Sequence, residues 1–165
     1  MIVLASDYHF CYQFAWRAWE AHADHDRDPK NVIDDIICGK IGEIYAKKLF
    51  TERGFAVEGP HFDVNIHGDG GVDIVRNATP INVKTIFSEN RHYHLPNNRV
   101  YINYNYDRGG GCEEYCLMIL NNDYSEINYY GYLRLDEINV QNIRIDRLNN
   151  NSQYLPINIF HIDTT

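Results

Sequence analysis

The chain has 165 residues, 44% of them apolar and 23% charged, with a formal net charge of −8. That length suffices for one domain with its own core, held without disulfides or a structural metal, and the composition lies far from the disordered and membrane classes. The acidic excess argues against a protein that coats nucleic acid over its whole surface.

The opening segment, MIVLASDYHF, lacks the basic start and long apolar run of a secretion signal, and no stretch approaches the roughly 18 apolar residues of a bilayer span. A cytoplasmic location is expected. In a reducing compartment Cys11, Cys38, Cys112 and Cys116 are expected as free thiols. Cys112 and Cys116 stand four apart, but no second pair follows at a zinc spacing. The sequon at Asn77 has no meaning without secretion.

In chain order, aromatic and small residues at helical spacing predict a first helix over 5–23, which DHDRDPKN, with Pro29 and its acids, is expected to end. Ile33, Ile37, Ile41, Ile44, Tyr45 and Leu49 recur on one face and predict a second helix. Asp34 and Asp35 suit its N-terminus, and Gly54 supplies a stop. From Phe55 the period shifts toward two, predicting strands near 55–57, 62–66, 72–76 and 81–87, and later ones at 100–104, 115–120 and 127–135. LDEINV reads as a short helical turn. The asparagine-rich stretch 147–165, within a C-terminal tail of 141–165, reads as loop with one last short strand. The fold class is α/β or α+β: helices first, a mixed sheet after. A single domain is expected, with 1–35 a helical extension and 36–140 the core.

The charge is unevenly spread. Segments 40–53 and 84–108 each carry four basic against two acidic residues within an acidic molecule, so a polyanion could be engaged through one face.

The stretch GVDIVRNATPINVKT raises the sharpest question, because two strand-like runs carry an acid, an amide and an amine. With Asn77 to Pro80 as a four-residue turn, Asp73 pairs with Lys84, and Asp73, Asn82 and Lys84 share one face while Ile74, Ile81 and Val83 take the other. A cross-strand ion pair at the sheet surface is the plain reading of that pattern. Glu43 lies at the margin of the second helix's apolar face, in line with Ile36, Lys40 and Lys47, where a charged residue is usually snorkelling or solvated but can also look toward the sheet.

Taken together, a helix with GKIGE, a strand opening with an aspartate after glycines, and a following strand reading polar-x-lysine resemble the PD-(D/E)XK nuclease superfamily. The resemblance covers roughly 39–85 and, more loosely, the later strands ending in GYLRLDEI. It implies a restriction-endonuclease-like mixed sheet flanked by helices, with Glu43, Asp73 and Lys84 at the positions of the family's helix glutamate, metal-binding aspartate and catalytic lysine. Asn82 stands where the family places an acid or sometimes glutamine, a departure that removes one negative charge. It further implies Mg²⁺ or Mn²⁺ as cofactor, held by Asp73, Glu43 and the backbone carbonyl of Val83, with Lys84 orienting or deprotonating the attacking water. That family core also has a helix between the lysine strand and the next strand, and 86–112 shows no helical period.

The segment after Thr85 interleaves basic and aromatic residues, a composition suited to phosphate contact and base stacking or to an ordinary polar loop. Lys40, Lys47, Arg91, His92, His94 and Arg99 are the candidate nucleic-acid contacts. His67 and Asp69 read as turn residues close to the candidate metal position. His22 and His25 read as solvated at a helix end. The expected function is a divalent-metal-dependent endonuclease acting on DNA, with RNA as a further substrate class and a homodimer natural for cutting both strands. The alternatives are a catalytically impaired protein of the same fold that binds nucleic acid or protein, and an acidic mimic of DNA.

Overall fold

The computed structural model describes residues 1–21, 28–64, 71–89, 99–147 and 151–162. Two helices come first, α1 (Ala5–Ala21) and α2 (Pro29–Glu52). Pro29 opens α2 instead of merely ending α1: its fixed φ and missing N–H suit the first helical position, and the Asp28 side chain accepts from Lys30 N at 2.9 Å as the cap. Gly54, at φ +86°, follows the helix end as its spacing predicts.

The strands are β1 (Val57–Glu58), β2 (Ile74–Arg76), β3 (Thr79–Phe87), β4 (Arg99–Ile102), β5 (Glu114–Leu120), β6 (Ile127–Arg134), β7 (Arg144–Asp146), β8 (Ser152–Pro156) and β9 (His161–Ile162), with a third helix, α3 (Tyr104–Gly109), between β4 and β5. A six-stranded mixed sheet has the order β1-β2-β3-β5-β6-β9, and a three-stranded sheet has the order β4-β8-β7. The fold is therefore α+β, with helices preceding the sheet. β1, β2 and β3 form an antiparallel meander, whereas β3 and β5 run parallel. A parallel pair demands a crossover, and here β4 and α3 lie within it.

The large sheet is covered on both faces. Ile74, Ile81, Val83, Cys116, Met118 and Leu120 pack with Cys11, Ala15, Ile37, Ile41 and Phe50 of the helices. Tyr115, Leu117 and Leu133 pack with Val100, Ile102 and Leu155 of the smaller sheet. This two-sided burial explains why β5 is apolar almost throughout, without alternation.

Several expectations need correction. The predicted strand at 62–66 is absent over 62–64, and 65–66 lie outside the described residues. Tyr104 starts α3 instead of ending a strand, and that helix is too short to display a period. The tail carries β7, β8 and β9, and Leu155 and Phe160 are core. A boundary at 35/36 would fall inside α2, and α1 shares the core of the sheet.

Candidate active site

The turn between β2 and β3 is two residues long, with Asn77 at φ 47° and Ala78 at φ 68°. This left-handed pair matches the twist of a hairpin better than a four-residue turn does. Arg76 consequently faces Thr79, Val75 faces Pro80 and Ile74 faces Ile81. The register differs by two residues from the one expected, so Asp73 does not stand opposite Lys84. A slip of two preserves which residues share a face, so Asn82 and Lys84 still project together and away from α2.

Asp73 ends the ladder with its own side chain. Its Oδ2 accepts from Val83 N at 2.6 Å, where a continued β2 would have offered a backbone carbonyl. Asp73 N donates to Ile81 O at 2.9 Å, outside the regular pattern. The carboxylate therefore lies at the β3 edge, between the backbones of Asn82 and Lys84. In an extended strand the N–H and C=O of one residue point to the same side. The Val83 carbonyl opens toward that edge too.

On the far face from α2, a buried polar cluster centres on Asp107 of α3, which is 2% exposed. Its Oδ1 lies 3.2 Å from Asn82 Nδ2, its Oδ2 accepts from Tyr115 OH at 2.7 Å, and Lys84 Nζ stands 3.6 Å from Oδ2. Asn82 Nδ2 also donates to Gly71 O at 2.9 Å. Position 82 thus faces two acceptors, a setting that calls for a donor. An acid there would set carboxylate against carboxylate. Burial, and then the bond to Asp107, hold the Tyr115 phenol well above its ordinary 10.0, so it remains a donor. Lys84 Nζ also lies 5.4 Å from the centre of the Tyr115 ring. Gly71, at φ +79°, brings its backbone against Asp107, where any Cβ would overlap. The expected Asp73–Lys84 pair is corrected accordingly: the ion-pair partner of Lys84 is Asp107.

Glu43 sits on α2, 6% exposed, with both oxygens on Lys40 Nζ at 2.9 and 2.7 Å. That ammonium lies 5.7 and 5.6 Å from the ring centres of Phe14 and Phe62. Lys47, one turn on, donates to Gly59 O at 2.6 Å. Gly59 in turn abuts the Asp73 backbone, where a Cβ would come 2.6 Å from Asp73 O. The Glu43 row of α2 is thereby tied to the segment that carries Asp73.

Arg99 Nη1 lies 3.1 Å from Asp146 Oδ2, and its guanidinium stacks 4.3 Å from the Tyr154 ring centre. It is integrated into the smaller sheet. Arg91, His92 and His94, like His67, Asp69, His22 and His25, lie outside the described residues. Among the described residues no group of three or more His, Cys, Asp or Glu side chains is placed to hold a metal ion. No described helix is long and apolar enough to cross a membrane.

Sequence reasoning missed Asp107 and Tyr115. Asp107 sits in YNYDRGGG, where six helical residues leave no pattern, and Tyr115 is one of a run of buried residues. No family model matches the chain, and no curated protein and no solved structure matches it.

Proposed function

We propose that the chain is a divalent-metal-dependent nuclease of the PD-(D/E)XK type that hydrolyses phosphodiester bonds in DNA. One observation carries the reading: the Asp73 carboxylate replaces a ladder carbonyl on Val83 N–H, at the strand edge between Asn82 and Lys84. The connectivity supports it as well, because N-terminal helices precede a mixed sheet and a helix, α3, lies between the lysine strand β3 and the next strand of that sheet, β5, as the resemblance implies.

The donor chemistry suits Mg²⁺. Asp73 and the Val83 carbonyl offer hard oxygens, and Mg²⁺ keeps most of its waters, so one or two protein carboxylates suffice. Asp73 would hold the ion, with the Val83 carbonyl beside it and Glu43 approaching from α2 once released by Lys40. When bound, such an ion would offset the charge that develops on the phosphate oxygens. Lys84 is the next residue along β3 after Val83, and its ammonium could orient a water or a phosphate oxygen there. Asn82 turns its amide nitrogen to Gly71 and Asp107, which directs its oxygen away from both.

The test is incubation of the purified protein with supercoiled DNA, linear DNA and RNA, in Mg²⁺ or Mn²⁺ and with EDTA. Metal-dependent cutting that Asp73→Ala and Lys84→Ala each abolish is expected. A second reading, a binding module of the same fold, is favoured by the internal engagement of the polar groups: Glu43 is held by Lys40, and both Asn82 and Lys84 by Asp107. Retention of DNA on the protein without cutting in either metal would select that reading.

A further inference from the structure

We propose that Asp107 is a positioning residue of this site, the fixed carboxylate of α3 that orients the Asn82 amide and holds the Lys84 ammonium beside the Asp73 edge. The inference rests on the nuclease reading and adds a member to the site that neither the hairpin nor the helix of α2 supplies.

Where the resemblance expects an acid at 82, this chain has an amide, and the sheet face holding Asn82 and Lys84 receives its negative charge from the crossover instead. Asp107 stands within 3.2 Å of the Asn82 amide nitrogen and 3.6 Å of the Lys84 ammonium, so one carboxylate contacts both members of the strand motif. A carboxylate at 2% exposure is costly unless it is hydrogen-bonded and paired. The Tyr115 hydroxyl, the Asn82 amide and Lys84 meet that requirement together.

Rigidity follows from the surroundings. The Gly71 backbone closes over Asp107, Cys112 N donates to Asp107 O at 3.0 Å, and Asp107 N donates to Asn103 O at 2.8 Å. Lys84 is a long, flexible side chain, and its ordering before substrate arrives is what a fixed partner provides. Asp107 acts through Lys84 and Asn82. It is buried too deeply to meet substrate itself.

The test uses the full chain, with Asp107→Asn compared against Ile127→Ala, a core truncation on the opposite sheet face that lowers stability without approaching the cluster. Asp107→Asn is expected to lower kcat for metal-dependent DNA cutting by about tenfold or more with KM changed little, as misplacement of a reacting group does, while Ile127→Ala retains kcat at temperatures where it is folded. Independently of activity, ¹⁵N–¹H spectra at low temperature should show the Asn82 amide and Lys84 ammonium of the wild type displaced from the values of free side chains, and Asp107→Asn should move both toward those values, the Asn82 amide only in part because its bond to Gly71 O remains. Free-chain values in the wild type itself would overturn the proposal even if the variant does not fold. Unchanged kcat, or unmoved resonances in a folded Asp107→Asn protein, would overturn it too. Absence of cutting by the wild type in both metals overturns the nuclease reading, and with it any role for Asp107 in catalysis, whatever the spectra show.

Discussion

Thr85 Oγ1 rests directly against the Cα of Gly42, so that a Cβ at position 42 would overlap the Thr85 hydroxyl and methine together. This contact sets how closely α2 lies on β3. The same hydroxyl is buried without a hydrogen-bond partner among the described residues. Gly42→Ala gains roughly 1 kcal/mol of helix propensity, yet the overlap forces the helix off the strand. A net loss of about 1–3 kcal/mol is expected by urea denaturation. In a Thr85→Ala background the same substitution should cost less, since the hydroxyl overlap is gone while the contact with the Cβ of residue 85, at 2.9 Å, remains, and the two sites couple. Equal losses in both backgrounds would show that the contact does not fix the spacing.

Ala78 holds a φ of 68° in the hairpin turn, a conformation that a side chain with a Cβ adopts only at a cost. Replacement by glycine removes that cost, and part of the gain is offset by the freedom glycine has in the unfolded chain. Ala78→Gly should stabilise the protein by about 0.5–1 kcal/mol. A lowered urea midpoint would argue against the two-residue turn.

Glu114 is buried beside Ile81, with Oε2 on Arg76 Nη2 at 3.0 Å and Oε1 without a partner among the described residues. Burial raises its pKa above the ordinary 4.5, and Arg76 only partly opposes the shift. The folded protein therefore favours the protonated acid. Its contribution is fully present below the unfolded value and declines as pH rises through the folded one. Glu114→Gln should lose that dependence. The stability difference, variant minus wild type, is expected to grow with pH from the acid range toward neutrality. A difference that is flat, or that shrinks, would contradict the assignment.

All four cysteines are buried thiols. Burial pushes the Cys11 thiol up to about 12 and the Cys112 thiol up to about 11, and raises Cys116 as well, all from an ordinary 9.0. Thiolate is the reactive form, so iodoacetamide near pH 8 should label the native protein slowly and the denatured protein at all four positions. The stability these neutral thiols contribute is full below pH 9.0 and is lost as pH climbs through the folded values, so a fall in the urea midpoint is expected across that alkaline window. Rapid native labelling of Cys112 would show that the crossover opens readily.

Much of the framework is readable in the residues because it rests on repetition. Ile33, Ile37 and Ile41 mark the buried face of α2, and all three are core. Most strands fall where alternating or β-branched runs occur. What escaped depends on features without a period. Asn77 and Ala78 form a shorter turn than Asn77 and Pro80 suggest, because hairpin twist outweighs local turn preference. Pro80 fits inside β3 since its position opposite Val75 asks for no N–H toward β2. Within the candidate site, Asn82 and Lys84 do share a face, as alternation requires, but their partner comes from α3, more than twenty residues away in a helix too short to announce itself. Long-range pairing of that kind leaves no trace in local pattern.

The six-stranded sheet ends on both sides in strands of only two residues, Val57–Glu58 and His161–Ile162. Such stubs offer a neighbouring molecule almost no exposed backbone ladder to extend, which guards against sheet-to-sheet accretion. A partner copy approaching either of these two strands would accordingly engage them through side chains, on surfaces whose composition can vary without disturbing the hydrogen-bonded frame.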